Sequence, residues 1–510
     1  MKNVQNSAKT RGRRAVKIIG ILFLIFFIIL MVYLFIPTPY SKNANKLGDT
    51  NMSKLMSLQK EADGELAPLE NVEIKTIDVS YIMKNETVDT RPMWFYEPTN
   101  VEKPLPVVYI PHYEMKEDAV ELRTYLAQGW AVASPASVKN EYNGKLTDDD
   151  LVFNNAALYT LRHMSEVDNQ RIVLVGGSAG GYMTLMLNAL QMGNTASVAN
   201  SPISNIYFNL NQYFMSVKEI NRFWMPRVYM KGLAGMLVSE NKTGTLIKSM
   251  LELPIPFVGM TTGVFEPNLD NFPDKKDIKR WESFSPVALA NDFSSPIAIN
   301  HNTSDVLVPV DQTTREFVKE PGETMPKSFS TALNENNPGV LGHSLVDELP
   351  SELTTVNLTV IKNPDIDTVM PYDISKMFNI NIYDDGPTQS YGSHSSALGS
   401  GTWDVINYVK AMMNKTLAET EQLMPEKLLL LLERYQGNSV QLPAHIGVDD
   451  TIYGSLEIYR KEVADELNSW MDNHSAEEMD KVMQEAILSI SDETERLQYT
   501  QTWEEIKKQR

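Results

Sequence analysis

Ser178 has the strongest claim to chemistry in this 510-residue chain, because of what stands on either side of it. It lies in Gly176-Gly177-Ser178-Ala179-Gly180-Gly181, directly after the apolar run Ile172-Val173-Leu174-Val175 and before Tyr182-Met183-Thr184-Leu185-Met186-Leu187. The pattern reads as strand, sharp turn, helix. In that context a Gly-x-Ser-x-Gly turn lifts a serine above a sheet edge as a nucleophile. Such a turn strains the serine backbone, and flanking residues without Cβ let helix and strand approach closely. The bland alternative is a strand-to-helix connection with a capping serine.

A nucleophile on this kind of turn needs a carboxylate and then a histidine later in the chain. Pro296-Ile297-Ala298-Ile299-Asn300-His301 reads as a buried strand, and the loop after it carries Asp305, the candidate acid, with Asp311 and Asp292 as rivals. Phe378-Asn379-Ile380-Asn381-Ile382-Tyr383 alternates like a final strand, and residues 402–413 read as a closing helix. His394 lies on the polar loop between them, where a mobile imidazole base belongs. His343, in Leu341-Gly342-His343-Ser344, is the competitor, but the Asn/Pro/Gly-rich run around it reads as an inserted loop. His163, His301, His445 and His474 carry structural readings. Without cysteine, a His-Glu-x-x-His pair or another ligand spacing, no metal and no cofactor is expected.

The segment from Val167 to Met183 resembles the nucleophile region of prolyl oligopeptidase-type α/β-hydrolases. Ser285-Pro286-Val287-Ala288, with His301 to Pro309, resembles their acid region. The resemblance spans residues 70–414 with interruptions and is shared by esterases as well as peptidases. It implies an α/β-hydrolase fold, an eight-stranded, mostly parallel sheet wrapped by helices. Two positions depart from the family pattern. Relatives carry His-Gly-Gly after the third strand, where a backbone N–H contributes to the oxyanion hole; here Val107-Val108-Tyr109-Ile110-Pro111 runs into His112-Tyr113-Glu114. The Ala179 N–H supplies one donor, and the second would come from Tyr113 or Glu114. His301-Asn302 also stands where relatives have His-Gly, and asparagine is a common substitute for glycine at positive φ.

Compartment is read from the N-terminus. Ile18 to Ile36 is an uncharged apolar run of 19 residues, long enough to cross a hydrocarbon core. Lys2, Lys9, Arg11, Arg13, Arg14 and Lys17 precede it, so residues 1–17 should stay cytoplasmic. The sequence after the run offers no small-x-small cleavage site, which favours an uncleaved single-pass signal anchor over a removed leader. The remainder would then lie outside the cytoplasm, held to the cell membrane. A cysteine-free composition suits an exterior fold without disulfides and points to a bacterial surface protein of Gram-positive type. The formal charge is −19, and setting aside the six cationic tail residues leaves −25 beyond the membrane. That argues against nucleic acid as a partner.

The chain divides into the basic tail (1–17), the anchor (18–36), a polar stalk (37–69), the hydrolase domain (70–414) and a helical extension (415–510). Within the domain, residues 205–281 read as a cap insertion rich in Phe, Tyr, Trp and Met, either an apolar acyl pocket or a cap with its own core. A further insertion covers residues 320–375. The chain ahead of Val72 is too short for the β-propeller that gates large prolyl oligopeptidases. The extension carries 10 Lys/Arg against 20 Asp/Glu, with helical spacing at Met479, Val482, Met483, Ala486, Ile487 and Ile490. It packs on the domain or binds a protein partner. The sequence therefore points to a membrane-anchored serine hydrolase of small esters or short peptides. A cell-envelope acyltransferase and a non-catalytic surface binding module of the same fold are the alternatives.

Overall fold

The computed structural model describes residues 2–35, 69–82, 88–117, 119–136, 149–190, 194–209, 226–227, 229–237, 241, 278–303, 305, 308–315, 339–349, 356–362, 372–384, 405–416, 419–420, 435–436, 439–440, 474–488, 490 and 493–509. His394, nearly all of the stalk and most of the cap insertion lie outside these residues.

Nine strands form one sheet: β1 (Val72–Ile82), β2 (Val88–Pro98), β3 (Leu105–Tyr109), β4 (Ala131–Pro135), β5 (Val167–Gly177), β6 (Ala196–Asn200), β7 (Ile297–Asn302), β8 (Val356–Lys362) and β9 (Phe378–Asp384). Their order is β1-β2-β4-β3-β5-β6-β7-β9-β8. β1 pairs antiparallel with β2, and β2 with β4. Every other pairing is parallel.

The central strands are apolar throughout because both faces are covered. Val107, Tyr109, Ile172, Leu174, Ile297 and Ile299 join one core layer, while Val108, Val173, Val175, Val198 and Ala298 join the other. Alternate residues of one strand thus serve opposite layers, the period of two that a pleated strand imposes. α2 (Val120–Leu126) contributes to the second layer, as does the helix over residues 405–413. α3 (Asp149–Arg162) and α4 (Ala179–Leu190) build the first. All 12 residues of α4 are buried. Asn188 supplies the polar tie that such burial needs. Its amide donates to Ser197 Oγ at 2.8 Å and Ser295 Oγ at 2.7 Å, fixing the far end of α4 to the segments around β6 and β7.

The expected eight strands become nine. The extra one, β8, falls inside the stretch read as an insertion over 320–375 and adds to the edge of the sheet beside β9. Val356, Leu358 and Val360 alternate with Asn357 and Thr359, a pattern suited to a half-buried strand. The Asn/Pro/Gly-rich sequence upstream hid that signal.

Outside the sheet, the N-terminal helix α1 spans Lys2–Phe35. Its Val16–Leu34 segment has a mean hydropathy of 2.9 and none of it is buried, and its 19 residues rise about 28 Å. In the extension, α5 (Ala476–Leu488) and α6 (Glu493–Gln509) form a helical pair. Ser475 and Glu478 make the reciprocal capping bonds at the start of α5, with Ser475 N–H on Glu478 at 2.9 Å and Glu478 N–H on Ser475 Oγ at 3.3 Å. Trp503 Nε1 and Lys507 Nζ both donate to Asp480, at 2.9 and 2.7 Å. Met483, Ala486 and Ile487 are buried in the core layer that also holds the strands, so the extension packs on the domain.

At the antiparallel end, Glu97 of β2 is buried and accepts Lys75 Nζ at 2.6 Å, with Lys103 on its other oxygen. Burial alone would raise its carboxyl pKa, but the hydrogen bonds from Lys103 and Lys75 prevail and hold it below the usual 4.5. A carboxylate whose folded pKa is depressed contributes stability above its unfolded pKa and loses it as pH falls through the folded value. Glu97→Gln is therefore expected to destabilise the fold by about 2 kcal/mol at pH 7. The deficit relative to wild type should shrink as pH drops below about 4. Thermal unfolding of both proteins across pH measures it; a deficit independent of pH would refute the assignment.

Candidate functional site

Strand β5 and helix α4 meet at Ser178, whose backbone sits at φ 57°. This left-handed conformation is unfavourable for a residue with a Cβ, and the surroundings enforce it. The Ser178 N–H donates to Asn200 O at the end of β6 (2.8 Å), and the Ser178 carbonyl accepts the Tyr182 N–H (3.0 Å). Close approach of α4 to the sheet explains the glycines. A Cβ on Gly176 would lie 2.2 Å from Gly180 O and 2.5 Å from Thr184 Oγ1, a position no side chain can occupy. One on Gly181 would come within 3.0 Å of Pro202 and 3.2 Å of Asn200 O. Ala179 opens α4, so its N–H belongs to the first turn, whose donors have no partner within the helix.

Because β3 lies beside β5 in parallel, the turns that leave the two strands stand side by side at the same sheet edge. Gly180 records the contact: a Cβ there would be 3.1 Å from Pro111 O and 3.3 Å from the Tyr113 ring. The turn after β3 is tight. Its Tyr113 N–H donates back to Pro111 O at 2.9 Å across His112, which is held at φ 71°. That is a γ-turn of the rare, strained kind. It directs the Tyr113 N–H into the turn itself, whereas among the described residues the Glu114 N–H makes no hydrogen bond.

Asp305 lies on the loop after β7, at the same sheet edge and buried. Its Oδ1 accepts the Val308 N–H at 2.9 Å, and its own N–H reaches Asn302 O at 3.3 Å. His301, fully buried, braces this loop from beneath. Its Nε2 donates to Val308 O at 2.7 Å, and its Nδ1 is hydrogen-bonded to the Thr313 hydroxyl at 2.9 Å. Asn302 needs no glycine-like freedom, since the non-glycine residues at positive φ among those described are His112, Ser178 and Ser201. Of the rival acids, Asp292 is buried before β7, and Asp311 follows in a short 3₁₀ turn where burial pushes its carboxyl up to about 6.

Ser178 and Asp305 are thus brought to one edge, two strands apart, with β6 between them. His394 is not placed, but its flanks are. β9 pairs directly with β7, and the helix over 405–413 lies in the core, so the segment that contains His394 follows the strand next to that of Asp305. His343 is half exposed and pairs through Nδ1 with Glu348 on the next short helix. Among the described residues no group of three or more His, Asp or Glu side chains is arranged to hold a metal.

Sequence reasoning missed a buried polar cluster behind the turn after β3. His112 Nδ1 donates to Asp150 Oδ2 at 2.6 Å, and Arg91 Nη2 donates to Asp150 Oδ1 at 3.3 Å. Asn154 Oδ1 accepts both the His112 N–H (3.0 Å) and the Tyr109 hydroxyl (2.8 Å). The i, i+4 spacing of Asp150 and Asn154 at the start of α3 was the available signal.

No family model and no curated protein matches the chain. Among solved structures, 68% of it aligns with the acylaminoacyl peptidase of Pyrococcus horikoshii at 13% identity and a TM-score of 0.36, covering 41% of that chain. It aligns over the same share with oligopeptidase B of Leishmania major, at 12% identity and a TM-score of 0.38, covering 37% of that chain. Porphyromonas gingivalis dipeptidyl peptidase 4 aligns with 67% of it, at 15% identity and a TM-score of 0.32, with 35% coverage. The chain spans less than half the length of each of these.

The glycine packing gives a direct test. Gly176→Ala, whose methyl would strike the Gly180 backbone, should destabilise by about 3 kcal/mol or more, whereas Gly20→Ala in α1, with open space around it, should change nothing measurable. Urea unfolding decides; a mild effect at Gly176 would mean that α4 does not press on β5. The strand order β1-β2-β4-β3-β5-β6-β7-β9, together with a strained serine on the turn between β5 and its helix, makes this an α/β-hydrolase fold.

Proposed function

We propose that the protein is a serine hydrolase working through Ser178, Asp305 and His394 on carboxylic esters or short peptides. The observation that carries this reading is the left-handed Ser178 on the turn where β5 meets the first turn of α4, whose N–H donors have no partner within the helix. Ser178 Oγ attacks the substrate carbonyl while His394 takes its proton, and His394 returns that proton to the departing alkoxide or amine. Asp305 accepts the imidazole N–H and stabilises the imidazolium. The Ala179 N–H meets the oxyanion, with the Glu114 N–H as second donor in preference to Tyr113, and water releases the acyl group. The peptidase names of the aligned structures keep short peptides in view as substrates. Esters are the easier bond for a site without the His-Gly-Gly turn.

The variants that test this are Ser178→Ala, His394→Ala and His343→Ala. Ser178→Ala should keep the unfolding temperature and abolish fluorophosphonate labelling and ester turnover. His394→Ala should lower kcat by roughly a thousandfold or more, and His343→Ala by far less. Persistent labelling of Ser178→Ala sinks the nucleophile, and the reverse histidine ranking sinks the base. Matched aryl-ester and anilide substrates, compared by kcat/KM, separate esterase from peptidase.

We further propose that α1 anchors the protein in a membrane with the hydrolase domain outside the cytoplasm. Its apolar span, none of it buried, is far larger than a water-soluble surface tolerates, and its flank is basic. Protease added to intact cells should then digest residues after Pro37 while the protein fractionates with membranes. Full-length protein protected inside the cell would overturn that topology.

A further inference from the structure

We infer that His112 is a positioning residue: its clamp onto Asp150 holds the turn after β3 in its left-handed shape, and thereby fixes the second oxyanion donor beside Ser178. This rests on the hydrolase reading above. A non-glycine residue at φ 71° resists that conformation, so something must hold it there. Both ends of His112 are gripped by α3. Its ring donates to Asp150 at 2.6 Å and its backbone N–H donates to Asn154 at 3.0 Å. The grip is itself braced, because Asn154 Nδ2 donates to the Asp150 carbonyl at 2.7 Å and Arg91 pairs with the second carboxylate oxygen at 3.3 Å. Arg91 lies 4.1 Å over the Phe153 ring, also on α3. His112, Asp150 and Asn154 are all at least nine-tenths buried.

The consequence reaches the nucleophile through two contacts. The His112 ring meets the Tyr113 ring edge-on with centroids 4.5 Å apart. The Tyr113 ring and Pro111 O in turn bracket Gly180, two residues beyond Ser178. Tyr113 is 40% exposed, so it stands at the surface of the site rather than in the core. Clamping His112 therefore sets both where the Glu114 N–H points and where the Tyr113 ring borders the substrate entrance. The clamp replaces backbone freedom with a fixed side-chain anchor, and a rigid donor is what oxyanion stabilisation requires.

The test uses the full chain in detergent. His112→Gly, His112→Ala and Asp150→Ala should each lower kcat for an aryl ester on the order of a hundredfold, as small misplacements of catalytic groups do, with KM within about threefold. Asp150→Asn, which can still accept the His112 N–H, should recover most of the loss. A His112→Gly enzyme with wild-type kcat would show that only backbone shape matters and overturn the clamp. Amide hydrogen exchange over residues 111–115 reads the clamp without any turnover. Exchange should quicken in Asp150→Ala and stay slow in Asp150→Asn, and unchanged exchange in Asp150→Ala refutes the proposal even if Ser178 proves inert. Absent turnover in wild type, with quickened exchange in Asp150→Ala, would reject the hydrolase reading while sustaining the clamp.

Discussion

Everything at the C-terminal sheet edge depends on how closely the first turn of α4 lies against β5. The gap between Gly176 and Gly180 O leaves no room for a methyl group. With that gap closed, the chain can reverse at Ser178 only through the left-handed region, and the side chain is thrown up at the edge rather than into the core. The same closeness brings Gly180 against Pro111 O and Gly181 against Pro202, so packing registers the turns after β3 and β6 against Ser178, with the Ser178 N–H bond to Asn200 O tying the second. A single steric constraint fixes three loops.

Two kinds of rigidity support this constraint. Beneath the site, strands with both faces buried form the floor, and fully hydrogen-bonded polar residues such as Asn188 and His301 sit within it. A satisfied buried polar group specifies one arrangement, because any shift leaves it unpaired at a cost of about 1–3 kcal/mol. Behind the site, His112, Asp150, Asn154 and Arg91 do the corresponding work for a turn that lacks glycine. The Asp305 and Ser178 turns are therefore held by different means, the first by a histidine bonded to its own loop and the second by close glycine packing together with backbone hydrogen bonds.

What the sequence disclosed follows from how local each signal is. Strand β5, the glycine turn and α4 are contiguous, and each residue there argues for the same shape, so the strand, turn and helix around Ser178 were legible in full. β7 and β9 were legible because buried parallel strands read as short apolar or alternating runs. β8 was not, since its alternation is weak and lies beyond a stretch dominated by turn formers. The clamp on His112 was hidden for a different reason. The i, i+4 spacing of Asp150 and Asn154 marks only the α3 side of it, and nothing in the spacing brings Arg91 or His112 to Asp150. Likewise, a second oxyanion donor could be narrowed only to Tyr113 or Glu114, because the γ-turn that engages the Tyr113 N–H is a property of three-dimensional closure.

The insertion of β8 at the edge has a bearing on the order in which the molecule assembles. β3 to β6 complete their mutual pairings within residues 105–200, so the turn at Ser178 can form from contacts close in sequence. β7 ends at Asn302, yet its partner β9 begins at Phe378, after the chain has travelled out to the rim and back. Closing so long a loop is entropically slow compared with the local pairings. A nascent chain thus carries Ser178 on a finished turn well before the strand that leads to His394 has docked. The last strand to join is the one that leads to His394, so under the proposed triad a partly made molecule would stay chemically silent.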